Sequence, residues 1–279
     1  MTRVIYGNEL AKRIKDEMAI EIKDIVAKGN RRPCLCVILV GEDPASVSYV
    51  KGKDKACKEI GIESKMISLP FETTQEQLLS IIDRCNQDDT IDGILVQLPL
   101  PKHINEKVII HSIDPSKDVD GLHPVNVAKL YSNEDGFIPC TPLGVMKMIE
   151  EAGINVDGKH VVVIGRSKLV GSPVSRLLLN NNATVTMCHS HTADLKAICK
   201  QGDILVVCVG KAKMITKEYV KDGACVIDVG VNRVNGKLCG DVDYDDVFDK
   251  CSVITPVPKG VGPMTICMLL KNTLKAYYK

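Results

Sequence analysis

Short apolar runs alternate with longer amphipathic segments along almost the whole chain, and this alternation restricts the fold more than any other feature of the sequence. The apolar runs occupy residues 34–40, 64–69, 93–98, 160–164, 183–188, 204–209 and 225–229. Between them, apolar residues recur at helical spacing, as in 8–27 and 74–86. Strands that alternate with helices are typical of α/β proteins with parallel sheets, and we predict that class here.

The length of 279 residues fits two domains around a cleft. We predict a first α/β domain over residues 1–140. A second, Rossmann-like domain follows over 141–264, where the strand–loop–helix pattern repeats as in dinucleotide-binding folds. The last segment, 265–279, is helical. We expect Thr265 to cap this helix and the helix to pack back on the first domain.

Composition excludes several classes of function. A formal net charge of +1 lacks the basic excess of a nucleic-acid-binding surface, and no apolar run approaches the ~18 residues that span a bilayer. The amino terminus has no apolar signal core, so we interpret the 12 cysteines as reduced thiols of a cytoplasmic protein. Residues 188–191 resemble a metal fragment but lack a second ligand cluster, and we predict no metal site.

A strand that opens into a glycine-bounded loop and a helix lies at 161–173. Such a loop turns backbone N–H groups and the positive end of a helix toward a phosphate, so we predict a nucleotide site that includes Gly165. Ser167 stands where the usual dinucleotide fingerprint has its second glycine. Arg166 lies inside the turn.

The end of the next strand indicates which nucleotide binds. NAD sites usually place a carboxylate there to hold the ribose 2′-hydroxyl, but no acid occurs before Asp194. Arg166 and Ser190, with His191 beside them, are instead the donors that a 2′-phosphate requires. The sequence therefore favours NADP over NAD, although Arg166 could also be an ordinary surface arginine.

Polar residues in the first half suggest a second site. Tyr49 and Lys53 share one face of the helix predicted from Asp43 to Ile60, and a phenol beside an amine can handle protons. Gln97 lies at the end of an apolar strand, where ligands gather in α/β sheets. The alternatives are a solvated helix face and an outward-facing strand residue.

Two loops complete the set of candidate segments. The loop 117–124 carries Asp118 and Asp120, which could accept paired N–H groups of a nitrogen-rich ring or could serve ordinary turn chemistry. The loop 255–265 holds three prolines and two glycines and is stiff enough for close backbone approach to a ligand.

Together these segments closely resemble the bifunctional methylenetetrahydrofolate dehydrogenase/cyclohydrolases. The matching segments follow the family's order from the first quarter of the chain to its last twenty residues: 49–56, 92–99, 117–122, 139–142, 165–173, 188–190 and 254–265. The resemblance implies that NADP⁺ oxidises 5,10-methylenetetrahydrofolate to 5,10-methenyltetrahydrofolate. Water then opens that product to 10-formyltetrahydrofolate. It also implies a homodimer.

The resemblance assigns roles by position. Lys53 would carry the proton in the hydrolase step, Tyr49 would orient the folate, Gln97 would hydrogen-bond Lys53, and Asp120 would hold the pterin edge. Further folate contacts would come from Val96, Leu98, Pro258, Gly260 and Gly262. The NADP contacts would come from Gly165, Arg166, Ser167, Ser190 and Val231.

Two positions depart from the family's pattern. Lys259 stands where glycine is common, and it could meet the glutamate tail of the folate or point to solvent. His191 replaces a frequent lysine beside the 2′-phosphate site, which could weaken the NADP preference or make it depend on pH.

Three other functions compete with this interpretation. A single-activity, NAD-linked dehydrogenase is disfavoured because Tyr49, Lys53 and Gln97 are all present and a ribose-binding acid is not. A non-enzymatic nucleotide- or folate-binding module would bind without turnover. A shikimate-type dehydrogenase shares the two-domain plan but would not explain Asp120 or the loop 256–265.

Overall fold

The computed structural model describes all 279 residues, which form two compact units. One unit contains residues 1–12 and 139–265, and the other contains residues 13–138 and 266–279. The carboxyl-terminal residues thus group with the first half of the chain. The sequence-based boundaries differ at the amino terminus, because residues 1–12 group with the second half.

The strands are short and mostly apolar. They are β1 (Arg3–Val4), β2 (Cys34–Val40), β3 (Glu63–Leu69), β4 (Gly93–Val96), β5 (His160–Ile164), β6 (Thr184–Cys188), β7 (Ile204–Val207), β8 (Ala224–Asp228), β9 (Asn232–Val234), β10 (Lys237–Cys239) and β11 (Cys251–Ile254).

The helices connect these strands, and none of them is both long enough and apolar enough to cross a membrane. They are α1 (Gly7–Ala27), α2 (Pro44–Ile60), α3 (Gln75–Gln87), α4 (Glu106–Ser112), α5 (Pro124–Ser132), α6 (Cys140–Glu151), α7 (Gly171–Asn180), α8 (Leu195–Cys199), α9 (Tyr244–Val247) and α10 (Val261–Tyr277).

The unit of residues 13–138 and 266–279 contains a three-stranded parallel sheet in the order β3-β2-β4. Every residue of the central strand β2 is buried. Alternate side chains of β2 and β4 pack with α3 and α4 in one hydrophobic core. The carboxyl ends of β2 and β4 lie side by side as a result, and Gln97 follows directly after β4.

The other unit contains a six-stranded parallel sheet in the order β1-β11-β8-β7-β5-β6. From β5 the chain passes to β6 on one side and then crosses to β7 on the other, which is the topology of dinucleotide-binding folds. The predicted α/β class and the Rossmann-like domain are confirmed. Strand β1 pairs with β11, which explains why the amino terminus belongs to this unit.

The carboxyl-terminal helix starts earlier than predicted. Helix α10 begins at Val261, so Thr265 lies inside the helix instead of capping it. The hydroxyl of Thr265 lies 2.9 Å from the hydroxyl of Thr141 on α6. The prediction of a cap at Thr265 is therefore wrong.

Candidate active site

Helix α2 carries Tyr49 and Lys53, and its two ends are fixed by local sequence. The Asp43 carboxylate accepts the N–H of Ser46 at 2.8 Å, and Pro44 occupies the first turn. Gly61 ends the helix at φ 91°, a left-handed conformation that favours glycine. The helix predicted from Asp43 to Ile60 is confirmed, with Asp43 as its cap.

Lys53 and Gln97 are in direct contact. The Lys53 side chain is buried although it is a lysine, with 9% of the residue exposed, and its Nζ donates to Gln97 Oε1 at 2.9 Å. The N–H of Gln97 donates to Ile38 O at 2.8 Å, which holds it at the carboxyl edge of the sheet. The structure thus brings together two residues that are far apart in the sequence.

The neighbours of these two residues differ in exposure. Tyr49 lies one helical turn before Lys53 and is 55% exposed, so its ring is available to a ligand. Val96 and Leu98 flank Gln97 and pack into the hydrophobic core. The Leu98 carbonyl accepts the Gln97 side-chain amide at 2.6 Å.

A buried carboxylate organises the loop that carries Asp120. Asp118 is 1% exposed and accepts the N–H groups of Leu122 (3.2 Å) and His123 (2.8 Å) and the Asn126 amide (2.8 Å). Burial raises the pKa of the Asp118 carboxyl to about 6, and the nearby Asp120 charge adds to this rise. Asp120 itself is only half-buried. The sequence indicated two acids here but did not separate the structural acid from the accessible one.

The loop that carries Asp120 is hydrogen-bonded to strand β4, which Gln97 directly follows. The N–H of Ile94 in β4 donates to Lys117 O at 2.8 Å, and the loop continues the sheet there as a single parallel bridge. The Lys117 ammonium donates to three carbonyls at and just after the end of α3, those of Cys85, Asn86 and Asp88. Asp120 is therefore presented by a rigid support next to β4.

In the other unit, the loop after β5 requires glycine at two positions. Gly165 has φ 128°, and a Cβ there would overlap the carbonyl oxygen of Cys208. A Cβ at Gly171 would overlap the carbonyl oxygen of Gly165. The first turn of α7 therefore packs directly against the loop, which is the close approach that phosphate-binding loops use.

The polar residues of this loop are exposed. Ser167 Oγ accepts the N–H groups of Val170 (3.2 Å) and Gly171 (3.4 Å), so it occupies the start of α7. Arg166 is exposed in the loop, and Ser190 is exposed after β6. The N–H of Gly165 donates to Cys188 O at 2.9 Å, and β5 pairs with β6 in parallel. Arg166 and Ser190 therefore follow the carboxyl ends of two neighbouring strands.

The end of β6 offers imidazoles and a hydroxyl but no carboxylate. His189 Nδ1 accepts the N–H of His191 at 3.2 Å, and the two rings are 6.1 Å apart. Asp194 instead accepts the N–H of Ala197 at 3.2 Å as the cap of α8. These side chains are compatible with a 2′-phosphate and not with the acid of an NAD site.

Three further predicted residues belong to the loop after β11, in the same unit as the dinucleotide loop. Pro258 is exposed, Gly260 is buried, and Gly262 is exposed in the first turn of α10. A Cβ at Gly260 would overlap the carbonyl oxygen of Pro256. Lys259 between them has φ 81° and is exposed. Tyr49, Lys53, Gln97 and Asp120 belong to the other unit.

Residues at the carboxyl edge of β7 and β8 include two that sequence reasoning missed. Val231, predicted to contact NADP, is 52% exposed just after β8. Asp228 and Asp241 are buried beneath these loops, and burial raises the pKa of the Asp228 carboxyl to about 7. An acid at the end of the apolar run 224–228 was the available signal for Asp228.

Comparison with known proteins gives concordant matches over nearly the whole chain. Residues 5–120 match the catalytic domain of tetrahydrofolate dehydrogenase/cyclohydrolase, and residues 139–279 match its NAD(P)-binding domain. The bifunctional protein FolD of Bacillus cereus strain B4264 is 57% identical over 274 residues, which cover 98% of this chain and 96% of that protein.

Solved structures agree with these matches. The FolD dehydrogenase/cyclohydrolase of Campylobacter jejuni superimposes with a TM-score of 0.98 at 48% identity, covering 100% of this chain and 99% of that one. The Trypanosoma brucei enzyme, solved with NADP cofactor and an inhibitor, has a TM-score of 0.94 at 39% identity, covering 99% and 97%.

Proposed function

The chain belongs to the tetrahydrofolate dehydrogenase/cyclohydrolase family, and from this premise we propose how its own residues carry out the two reactions. It is a bifunctional enzyme of one-carbon metabolism. It oxidises 5,10-methylenetetrahydrofolate to 5,10-methenyltetrahydrofolate with NADP⁺ and hydrolyses the product to 10-formyltetrahydrofolate. The observation that carries the residue assignments is the contact between the buried Lys53 amine and Gln97.

The dehydrogenase step needs orientation more than acid–base chemistry. Bound NADP⁺ accepts the hydride, and the chain has to hold the folate and exclude competing geometries. Asp120 accepts N–H groups of the pterin edge, and Tyr49 offers its exposed ring to the folate. Pro258, Gly260 and Gly262 supply further contacts, with Val96 and Leu98 supporting Gln97 from the core.

The hydrolase step requires proton transfer, and Lys53 is placed for it. Water adds to the methenyl carbon and loses a proton. The bond from that carbon to N5 then breaks as N5 takes up a proton, and the added oxygen releases its second proton to solvent and becomes the formyl carbonyl. The Lys53 amine accepts the first proton and returns one to N5. Gln97 holds the amine in position by accepting a hydrogen bond from it at 2.9 Å.

The proposed NADP-binding residues contact different parts of the nucleotide along the carboxyl edge of the six-stranded sheet. Gly165 and Ser167 shape the loop that receives the phosphates, and Arg166 with Ser190 binds the 2′-phosphate. Val231 contacts the cofactor after β8. The absence of a carboxylate before Asp194 supports this assignment to NADP.

A coupled assay on the purified enzyme tests these roles. Methylenetetrahydrofolate and NADP⁺ are supplied while NADPH and the methenyl product are followed together. We expect both activities in the wild type. In Lys53→Ala, hydrolysis of supplied methenyltetrahydrofolate is lost and some dehydrogenase activity remains. Loss of the dehydrogenase with intact methenyl hydrolysis in this variant would refute the assigned role.

The assembly and location of the protein are also proposals. We propose a cytoplasmic homodimer in which residues 13–138 with 266–279 supply Tyr49, Lys53, Gln97 and Asp120 to the folate, and residues 139–265 bind NADP and add the folate contacts of the loop after β11. Twelve free cysteines, ten of them buried, support a reducing compartment. Light scattering coupled to gel filtration should give twice the chain mass, and a mass equal to one chain would exclude the dimer.

A further inference from the structure

Asp241 has an unusually complete set of hydrogen-bond donors for a buried carboxylate. It is 0% exposed, and it accepts three consecutive backbone N–H groups, those of Val209 (2.7 Å), Gly210 (2.9 Å) and Lys211 (2.8 Å). It also accepts the side-chain amide of Asn232 at 2.8 Å. Hydrogen bonds to an ionised acceptor are the strong ones, so this carboxylate fixes the loop after β7 and the start of β9 together.

A second buried carboxylate holds the first in place. Asp228, at the end of β8, accepts the N–H groups of Gly230 (3.1 Å), Asp241 (3.1 Å) and Val242 (3.0 Å). A Cβ at Gly230 would overlap the Asp241 carboxylate, and a Cβ at Gly240 would overlap that of Asp228. The two glycines therefore leave the space that the paired carboxylates occupy.

These segments lie where the sheet topology places a ligand. Strand β5 stands between β6 and β7, and the chain changes side at β5. Ligands of open α/β sheets bind outside the carboxyl ends of the strands at such a point. The loop 209–211 follows β7, and Val231 with Asn232 follows β8, so the two carboxylates lie directly under the wall of that crevice.

The two sides of the crevice differ in what they can bind. Arg166 follows β5 and Ser190 follows β6, so the proposed 2′-phosphate contacts assign the adenosine half of NADP to that side. The nicotinamide half then falls to the side of β7 and β8. The N–H groups of 209–211 are already taken by Asp241, so this wall offers no anion site there and suits an uncharged or cationic ring.

We propose that Asp241, held in turn by Asp228, is the positioning residue for the nicotinamide half of the dinucleotide. This inference rests on the proposed NADP function. The carboxylate acts through the backbone of 209–211 and through Asn232, which fixes the segment that follows Val231. It does not contact the cofactor itself.

The main test is Asp241→Asn. Asparagine has the same shape as aspartate, but its NH2 group would face backbone N–H groups that need an acceptor. We expect the KM for NADP⁺ to rise about tenfold or more and the kcat for hydride transfer to fall. Binding of adenosine 2′,5′-bisphosphate, which carries only the adenosine half, should stay unchanged. Hydrolysis of supplied methenyltetrahydrofolate, which requires no dinucleotide, should also stay unchanged.

Two further variants keep the test decisive if Asp241→Asn does not fold. Asn232→Ala removes one donor and leaves the backbone N–H groups in place, and it should give the same pattern with a smaller rise in KM. Asp243→Asn is the matched control, because that aspartate makes an ion pair with Lys213 near the surface. It should leave NADP⁺ kinetics unchanged.

The outcomes separate this inference from the proposed function. Wild-type enzyme without NADP⁺-dependent activity would overturn the proposed function itself. Active wild type with unchanged NADP⁺ kinetics in both Asp241→Asn and Asn232→Ala would overturn only the positioning role. Equal weakening of NADP⁺ and adenosine 2′,5′-bisphosphate would overturn it too, because a general loss of structure affects both halves.

Discussion

The orientation of the Gln97 amide determines what it offers to Lys53. Its Nε2 donates to Leu98 O at 2.6 Å, so its oxygen must face the other way, where it accepts from Lys53 Nζ at 2.9 Å. Gln97 thus offers Lys53 a neutral acceptor, whereas a carboxylate at this position would add a negative charge beside the amine. We propose that the amine held in this way exchanges protons with the reacting atoms during hydrolysis.

Gln97→Glu should test this neutrality. A carboxylate at 97 would hold Lys53 in its charged form and would also face the Leu98 carbonyl without a donor. We expect the hydrolase rate at neutral pH to fall about a hundredfold, with a smaller effect on hydride transfer. Gln201→Glu, an exposed glutamine of the other unit, serves as the control. An unchanged hydrolase rate would show that the charge at 97 is irrelevant.

Arg166 should decide which dinucleotide is used. Its guanidinium is matched to a phosphate, whereas NAD⁺ presents only a hydroxyl at the same position. In Arg166→Ala we expect the KM for NADP⁺ to rise by about tenfold or more while the KM for NAD⁺ changes little. Lys168→Ala, in the same exposed loop, should affect both slightly and equally. An equal rise for both dinucleotides in Arg166→Ala would disprove the assignment.

The helices whose start is marked by a capping residue close in the sequence were predicted well. Asp43 caps α2, and Thr74 forms a capping box with Gln77 at α3, so both starts depend on residues within one turn. The start of α10 was missed because it lies inside a run of glycine and proline. Helix α5 was missed because its cap is the imidazole of His123, which accepts the N–H of Val125.

The junction of β5 and α7 should not tolerate a side chain at 165. Gly165→Ala would place a Cβ against the carbonyl of Cys208 at a φ that disfavours any L-residue. We expect NADP⁺-dependent activity to be lost while methenyl hydrolysis persists. Gly158→Ala is the matched control, because Gly158 also has positive φ (71°) but open space around its Cα. Equal losses in both variants would attribute the effect to φ strain alone.

At the scale of the whole molecule, the groups that touch ligands were easier to predict than the groups that support them. Arg166 and Lys53 stand in recognisable local patterns. Asp228 and Asp241 do not, because their N–H donors come partly from segments that only the fold brings near. Asp241, for example, is 30 or more residues from the loop after β7 that it holds. Such partners follow from strand order, which local periodicity does not specify.

Each unit contains one such carboxyl whose pKa burial raises, Asp118 to about 6 and Asp228 to about 7. An acid whose pKa is higher in the folded than in the unfolded chain stabilises the fold most when it is protonated. Its contribution is therefore fully present below the unfolded value of about 3.9 and is lost as the pH rises through the folded value. Both units should thus lose stability from these groups between weakly acidic and neutral pH.

Asp228→Asn should expose this loss, because the amide cannot ionise. The altered hydrogen bonds of the variant lower its free energy of unfolding by an amount that does not depend on pH. Ionisation of Asp228 lowers the free energy of unfolding of the wild type by an amount that grows with pH. The unfolding midpoint of the variant minus that of the wild type should therefore move in the variant's favour, by a few degrees, between about pH 5 and about pH 8. Asp222→Asn, whose side chain is 92% exposed, gives the baseline for removing one carboxylate. A difference that moves against the variant as the pH rises would mean that Asp228 is stabilising in its charged form, and that the donors around it outweigh its burial.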